Sequence, residues 1–205
     1  MKSPELTRRG MLGLALATSG ALVFPASALA APANGTTPWN GSTSANGWPV
    51  LTTTPTFRIE GSNESTNLAD GDSATVLLYV ARRFNYEVDS LRSGDVTAHT
   101  TDRNVAQPYE SNYLSGTAIA IRPLLYPVGA GGMFYPNELA VIKDILAELK
   151  GVVAWGGDAS TPKESHFEIA VRPGDSKLKD AAAKIRGWDE QPSSEGAGAT
   201  DAFNR

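Results

Sequence analysis

The segment from residue 136 to residue 155 most constrains the fold of this chain. Pro136 can occupy the first turn of a helix, and apolar residues then recur at three- and four-residue spacing up to Lys150. Gly151 is a typical helix stop, and residues 152–155 follow at once as a short apolar strand. A helix that leads directly into an apolar strand requires a core shared by helices and a sheet.

The other periodic segments extend this pattern. Ser73 is a candidate N-cap, and Arg82 and Arg83 lie near the end of the helix that follows it, where cations suit the helix dipole. Strands are predicted at 56–60, 117–121, 152–155 and 166–171, and helices at 73–84, 136–150 and 175–185. This order predicts a single-domain α+β fold in which helices cover a small antiparallel sheet.

The first 30 residues have the pattern of an export signal. Lys2, Arg8 and Arg9 form a basic start, residues 11–24 are moderately apolar, and residues 28–30 read Ala-Leu-Ala, a cleavage site of small residues. The arginine pair within residues 7–12 fits a twin-arginine signal. We therefore expect a secreted protein, extracellular or in the cell wall. An uncleaved or lipid-anchored helix is the alternative, although the chain has no cysteine to carry a lipid.

Composition predicts where the linker, the domain and the tail begin and end. Residues 31–45 are mostly small and polar and predict a flexible linker, residues 46–188 form the domain, and residues 189–205 predict a disordered tail. Beyond the signal there is no run of 18 apolar residues, so no membrane span is expected after cleavage.

Charge and residue counts exclude several functions. The chain has 18 basic and 22 acidic residues, a net charge of −4, and loss of residues 1–30 makes it more acidic. Nucleic acid is therefore an unsuitable partner, because phosphate binding needs clustered cations. The absence of cysteine excludes disulfides, thiol catalysis and cysteine-bound zinc. His99 and His166 are the only histidines, so a histidine-rich metal site is excluded as well.

Residues 111–121 carry the most specific motif. A turn-forming run that contains Ser115-Gly116-Thr117-Ala118 leads into an apolar strand. This stretch resembles the first metal-binding motif of the zinc-dependent D-alanyl-D-alanine carboxypeptidase and endolysin peptidase family, in which a His and an Asp seven residues apart flank such a sequence. Residues 136–150, 151–158 and 164–169 resemble later parts of the family in the same order. The likeness covers residues 46–186.

The resemblance implies the family's fold and a zinc hydrolase site. In the family, two His and one Asp hold zinc, and the fourth position is left to a water molecule that attacks an amide. An acid three residues before the last His acts as general base, and an upstream Arg assists. Carried to this chain, the ligand positions are Tyr113, Ala120 and His166, the base position is Lys163, and the Arg corresponds loosely to Arg103.

The substitutions remove most of that chemistry. Ala120 has no donor atom, and Tyr113 would bind zinc only as a phenolate, which its ordinary pKa of about 10 disfavours. Lys163 would repel a divalent cation and cannot replace a catalytic carboxylate. No metal, no cofactor and no catalytic residue are therefore expected, with His166 the one retained ligand.

The leading hypothesis is a catalytically inactive relative that binds a peptide in the old cleft. Lys163 would pair with a terminal carboxylate there, so peptidoglycan stem peptide or a protein C-terminus is the expected partner. The residues expected to line the cleft are Arg103, Tyr113, Ser115, Trp155, Asp158, Lys163 and His166.

Two other functions stay open. One is an active zinc peptidase acting on peptidoglycan with ligands rearranged among Glu110, Asp158, Glu164 and the two histidines. The other is a structural or protein-interaction module whose cleft is simply filled. A serine nucleophile is disfavoured, because Ser115 has no histidine partner in its own motif.

Overall fold

A four-stranded antiparallel sheet organises residues 35–190, the part of the chain that the computed structural model describes. Two small antiparallel pairs accompany it. In spatial order the main sheet consists of β4 (Val96–Thr97), β6 (Ala118–Ile121), β8 (His166–Ile169) and β7 (Val153–Trp155). The small pairs are β1 (Thr37–Pro38) with β5 (Asn104–Val105) and β2 (Thr56–Arg58) with β3 (Ser65–Asn67).

Three α-helices complete the architecture and confirm the α+β prediction. They are α1 (Asp72–Glu87), α2 (Pro136–Glu148) and α3 (Ser176–Glu190), and short 3₁₀ helices cover Pro108–Tyr113 and Gly156–Asp158. The core lies between α1 and one face of the main sheet, where Phe84, Ile119, Phe167 and Ile169 are fully buried. None of the helices within residues 35–190 is long and apolar enough to span a bilayer.

Two details of α1 differ from the sequence prediction. Ser73 is not the N-cap: Gly71 holds that position with a φ of 91°, and the Ser73 hydroxyl instead donates to the Ala69 carbonyl. The helix also continues to Glu87, so Arg83 lies before the last turn. Its side chain is buried and pairs with acidic residues of α1 and α2, so ion pairing rather than the helix dipole explains its position.

The linker predicted at residues 31–45 is wrong for its described part. Within residues 35–45, β1 pairs with β5, and Ser44 is buried with its hydroxyl 2.9 Å from that of Ser115. Small polar residues form these hydrogen bonds as readily as they form a solvated linker. Residues 189 and 190 continue α3. The predicted signal peptide and the remainder of the predicted tail lie outside the described residues.

Candidate functional site

The face of the main sheet that turns away from the core is built from alanines and three polar residues, Thr97, His166 and Glu168. Successive side chains of a strand point to opposite faces, so His166 and Glu168 of β8 share this face. Ala120 pairs with His166, while Ala118 and Ala154 flank Glu168 from β6 and β7. Three alanine side chains leave room around the imidazole and the carboxylate.

The motif of residues 111–121 folds so that Tyr113 covers this face. Tyr113 ends the 3₁₀ helix Pro108–Tyr113 and packs against Ala118 and Ala120. The chain then turns at Gly116, whose φ of 66° lies in the left-handed region. A Cβ there would also lie 2.6 Å from the Ala69 backbone nitrogen, so only glycine fits this turn.

Both ring nitrogens of His166 have partners. Its Nδ1 lies 2.7 Å from the Tyr113 hydroxyl and its Nε2 lies 2.8 Å from Oε2 of Glu168. The Asn112 side-chain amide donates to the same carboxylate oxygen. His166 is 1% exposed, so this chain of hydrogen bonds is buried at the imidazole.

The protonation states follow from burial. Burial lowers the pKa of His166, although the hydrogen bond and charge of Glu168 oppose that shift. Burial also raises the pKa of Tyr113 well above its ordinary value, and the charge of Glu110 adds to the increase. Tyr113 therefore donates to Nδ1 of a neutral imidazole, which donates from Nε2 to Glu168.

We expect the free energy of unfolding to fall as the pH is lowered from about 7 to about 5. In the unfolded chain the imidazole takes up a proton near its ordinary pKa of about 6.5, whereas folded His166 resists protonation. Since the unfolded state then binds more protons, the loss amounts to at most about 1.4 kcal/mol per pH unit. Urea denaturation across this pH range measures the slope. His166→Gln should make it shallower, and an unchanged slope would refute the assignment.

Lys163 is neutralised within the protein. Its ammonium lies 2.7 Å from Oε1 of Glu110 and 4.9 Å from the centre of the Tyr113 ring. Both side chains of the ion pair are largely buried. Burial alone would raise the pKa of Glu110, but the hydrogen bond and charge of Lys163 hold it below its ordinary value. The expectation that Lys163 is a cation available to a ligand carboxylate is therefore wrong.

Four of the five positions carried over from the peptidase resemblance meet at one place. Tyr113 touches His166, with ring centres 5.1 Å apart, Ala120 faces His166 across the strands, and Lys163 lies over the Tyr113 ring. These residues come from the 3₁₀ helix, β6, and β8 with the loop before it. Residues up to 53 positions apart in the chain thus form one cluster.

This cluster does not fit a zinc ion. The Tyr113 hydroxyl uses one imidazole nitrogen, Ala120 offers no donor atom, and the Lys163 cation lies beside them. Among residues 35–190, His, Cys, Asp and Glu do not form a group of three or more that could hold a metal ion.

Two residues predicted for the cleft serve elsewhere. Ser115 is 1% exposed, and its hydroxyl forms hydrogen bonds with Ser44 and Thr117 that fix the turn. Arg103 donates from its guanidinium to the carbonyls of Trp39 and Gly41 near β1. Both predictions were wrong for the same reason, since sequence spacing could not show that residues 35–45 return to contact these side chains.

Trp155 and Asp158 lie at the edge of the site. Trp155 is buried, and its indole nitrogen donates to the Glu164 carbonyl at 2.8 Å. Asp158 is exposed and pairs with Lys143 of α2 at 2.7 Å. Both line an open hollow beside His166.

The residues considered for a rearranged metal site are held in other contacts. Glu164 is 4% exposed, and its two carboxylate oxygens accept hydrogen bonds from the backbone nitrogens of Gly132 and Met133. It therefore anchors the loop before α2. His99 has its Nε2 3.0 Å from the Leu51 carbonyl.

Two open hollows adjoin the cluster. The first hollow has a volume of about 230 Å³ and includes His166 and Trp155 in its wall. The second hollow, of about 440 Å³, is lined partly by Asn46 and Asn112. Tyr109, Ala159 and Glu168 line both hollows, so the two are adjacent.

Sequence reasoning missed Tyr109 and Glu168. The Tyr109 ring lies 4.8 Å from the His166 ring, and its hydroxyl donates to the Thr161 carbonyl at 3.0 Å. Glu168 follows His166 by two residues in a predicted strand, so alternation alone indicated that the two share a face. No comparable signal existed for Tyr109, because the segment before the motif showed no period.

A further cavity of about 330 Å³ lies between the end of α2 and α3. Glu148, Lys177 and Lys184 are among the residues that line it, and none of the residues predicted for the cleft does so. We therefore place the candidate site at the two hollows beside His166.

Comparisons with known proteins add no relative. No family model, no curated protein and no solved structure matches this chain.

Proposed function

We propose that this chain is an exported, non-catalytic relative of the zinc D-alanyl-D-alanine carboxypeptidases that binds a peptide in the two hollows. One observation carries the proposal: the positions corresponding to the zinc site form one cluster whose polar groups are satisfied internally, yet open hollows adjoin it. Export by the twin-arginine pathway, inferred from residues 1–30, is part of the same proposal.

Loss of zinc hydrolysis is supported by the donor chemistry. Zinc would have to displace the Tyr113 hydroxyl from Nδ1 of His166 and find two further ligands nearby. A phenolate of Tyr113 is disfavoured by its raised pKa. The carboxylate nearest to Lys163, Glu110, is held in an ion pair and cannot act as a free base.

Peptide binding is supported by the shape and lining of the hollows. They combine aromatic surface from Tyr109 and Trp155 with polar groups from Asn46, Asn112 and Glu168. Apolar walls with a few polar groups are typical of ligand sites. A purely structural module would not need two adjacent open hollows. The internally bonded cluster beneath them is compatible with a structural module and with a peptide-binding protein.

The proposal predicts saturable binding without cleavage. We expect the stem pentapeptide L-Ala-γ-D-Glu-L-Lys-D-Ala-D-Ala to shift backbone amide signals of residues 107–112, 154–160 and 166–170 in an NMR titration. No free D-alanine should appear on prolonged incubation, because no metal-bound water attacks the terminal amide.

A substitution at the shared wall supplies the control. Ala159→Phe should fill both hollows and abolish the amide shifts caused by the peptide. Ala183→Phe, at an exposed position of α3, should leave those shifts intact. Absence of any shift at millimolar peptide would reject peptide binding. Release of D-alanine would reject the inactive assignment instead.

A further inference from the structure

We propose that Glu168 is the recognition group of the two hollows and that it binds a primary ammonium of the ligand, an inference that rests on the proposed peptide binding. Glu168 is the one residue with a carboxylate in the wall of both hollows among the residues that the structure describes. Its side chain is 18% exposed, so it is accessible to a ligand and still partly desolvated.

The two carboxylate oxygens of Glu168 differ. Oε2 accepts hydrogen bonds from His166 and from Asn112, which fix the side chain. Among the contacts of residues 35–190, Oε1 has no hydrogen-bond partner. Because a carboxylate oxygen accepts about two hydrogen bonds, Oε1 is oriented in advance for a donor that comes from outside the protein.

The charges around the hollows favour a cation. Apart from Glu168, the only charged side chain in their described lining is Asp158, which is paired with Lys143. No lysine or arginine among the described residues lines either hollow. An anionic ligand would meet an uncompensated carboxylate there, whereas an ammonium would neutralise it.

The neighbours of Glu168 supply space and a second contact. Ala154, its partner on β7, lines the first hollow and does not extend far above the sheet. The Tyr109 ring lines both hollows, and an aromatic face attracts a cation. A carboxylate, an aromatic ring and small walls together suit an ammonium group on a flexible stem.

This assignment changes the end of the peptide that the site recognises. The sequence predicts capture of a terminal carboxylate by Lys163, but Lys163 is paired with Glu110 and lines neither hollow. The accessible carboxylate of Glu168 instead favours an amine. Within a stem peptide the candidates are the α-amine at its start and the side-chain amine of its diamino acid.

Calorimetric titration of the protein with three peptides tests the inference and separates the two amines. The probes are L-Ala-γ-D-Glu-L-Lys-D-Ala-D-Ala, its ε-acetyl form and its α-acetyl form. Acetylation of the recognised amine should weaken binding at least about tenfold, because it removes a charge-assisted hydrogen bond. Equal affinity of all three peptides would overturn the inference and leave peptide binding standing.

Variants of the protein provide the matched test. Glu168→Gln removes the charge but keeps an oxygen that can accept from His166 and Asn112, so the fold is retained. This variant should bind the unmodified peptide at least about tenfold more weakly and should show no difference in affinity among the three peptides. Glu190→Gln, the same change at the exposed end of α3, should alter neither the affinity for the unmodified peptide nor the difference among the peptides.

A small amine separates this inference from the proposed function. In an NMR titration, 1,5-diaminopentane alone should shift the Tyr109 and Glu168 amide signals of the wild type but not those of Glu168→Gln. If the diamine binds and no peptide does, peptide binding is rejected while the ammonium site stands. If neither the diamine nor a peptide binds, both proposals fail.

Discussion

Tyr113→His combined with Ala120→Asp is expected to create a zinc site at the cluster around His166. Ala120 lies directly opposite His166 in the sheet, where Cβ atoms are about 5 Å apart, and the Tyr113 ring centre is 5.1 Å from that of His166. Two imidazoles and a carboxylate would then converge on one point, the ligand set of many catalytic zinc sites. Glu168 would continue to orient His166 from Nε2, as acids behind metal-bound histidines do.

Metal analysis and thermal unfolding measure this gain. The double variant should retain about one zinc per chain after dialysis, in keeping with a complete ligand set. Its unfolding midpoint should fall without metal, because the carboxylate introduced in place of the Ala120 methyl group would be buried, and rise when zinc is added. The control Tyr113→Phe with Ala120→Asn places a side chain of the same size at residue 120 but adds neither an imidazole nor a carboxylate, and it should show neither response to zinc. A folded double variant that takes up no zinc would show that these positions do not correspond to the family's ligands.

Arg83→Met is expected to be the most destabilising single change in the charged network between α1 and α2. Arg83 is 6% exposed, and its guanidinium donates to Glu148 at 3.0 Å and to Asp144 at 2.8 Å. Tyr79 donates to the same Glu148 oxygen. Removing the guanidinium leaves the buried Glu148 and the half-buried Asp144 without their closest cation, at a cost of about 3–5 kcal/mol.

Arg82→Met, one residue earlier, is the matched control. Arg82 pairs with Glu60 and Asp189, whose side chains are 66% and 51% exposed, and exposed pairs contribute at most about 1 kcal/mol. Urea unfolding followed by tryptophan fluorescence compares the two variants. Similar losses of unfolding free energy in both variants would contradict the conclusion that the ion pairs of Arg83 are part of the protein core.

The fold class was predictable because it depends on local patterns. Helix periodicity predicted α2 closely. It also predicted the start of α3, although α3 continues to Glu190. Apolar runs located β6, β7 and β8. The start of α1 was not predictable from Ser73, because Gly71 caps it through its backbone conformation. The two-residue strands β1, β4 and β5 were missed as well, since such a short pairing leaves no periodic signal.

The site was predictable only in part. The motif resemblance named Tyr113, Ala120, Lys163 and His166, and the structure brings them together. It could not show that Lys163 pairs with Glu110 or that Glu168 binds His166, because those contacts join side chains whose packing depends on the tertiary fold. Tyr109 therefore emerged only from the three-dimensional arrangement, whereas for Glu168 strand alternation indicated only that it shares a face with His166.

We propose that an internally bonded cluster has replaced the zinc site of the peptidase family. Metal analysis of the wild-type protein, purified without chelators and dialysed against zinc, tests it most directly, with the double variant as the positive comparison. We expect only trace zinc in the wild type, because Tyr113, Ala120 and Lys163 leave His166 without partner ligands. About one bound zinc per chain, with release of D-alanine that a chelator stops, would contradict the claim.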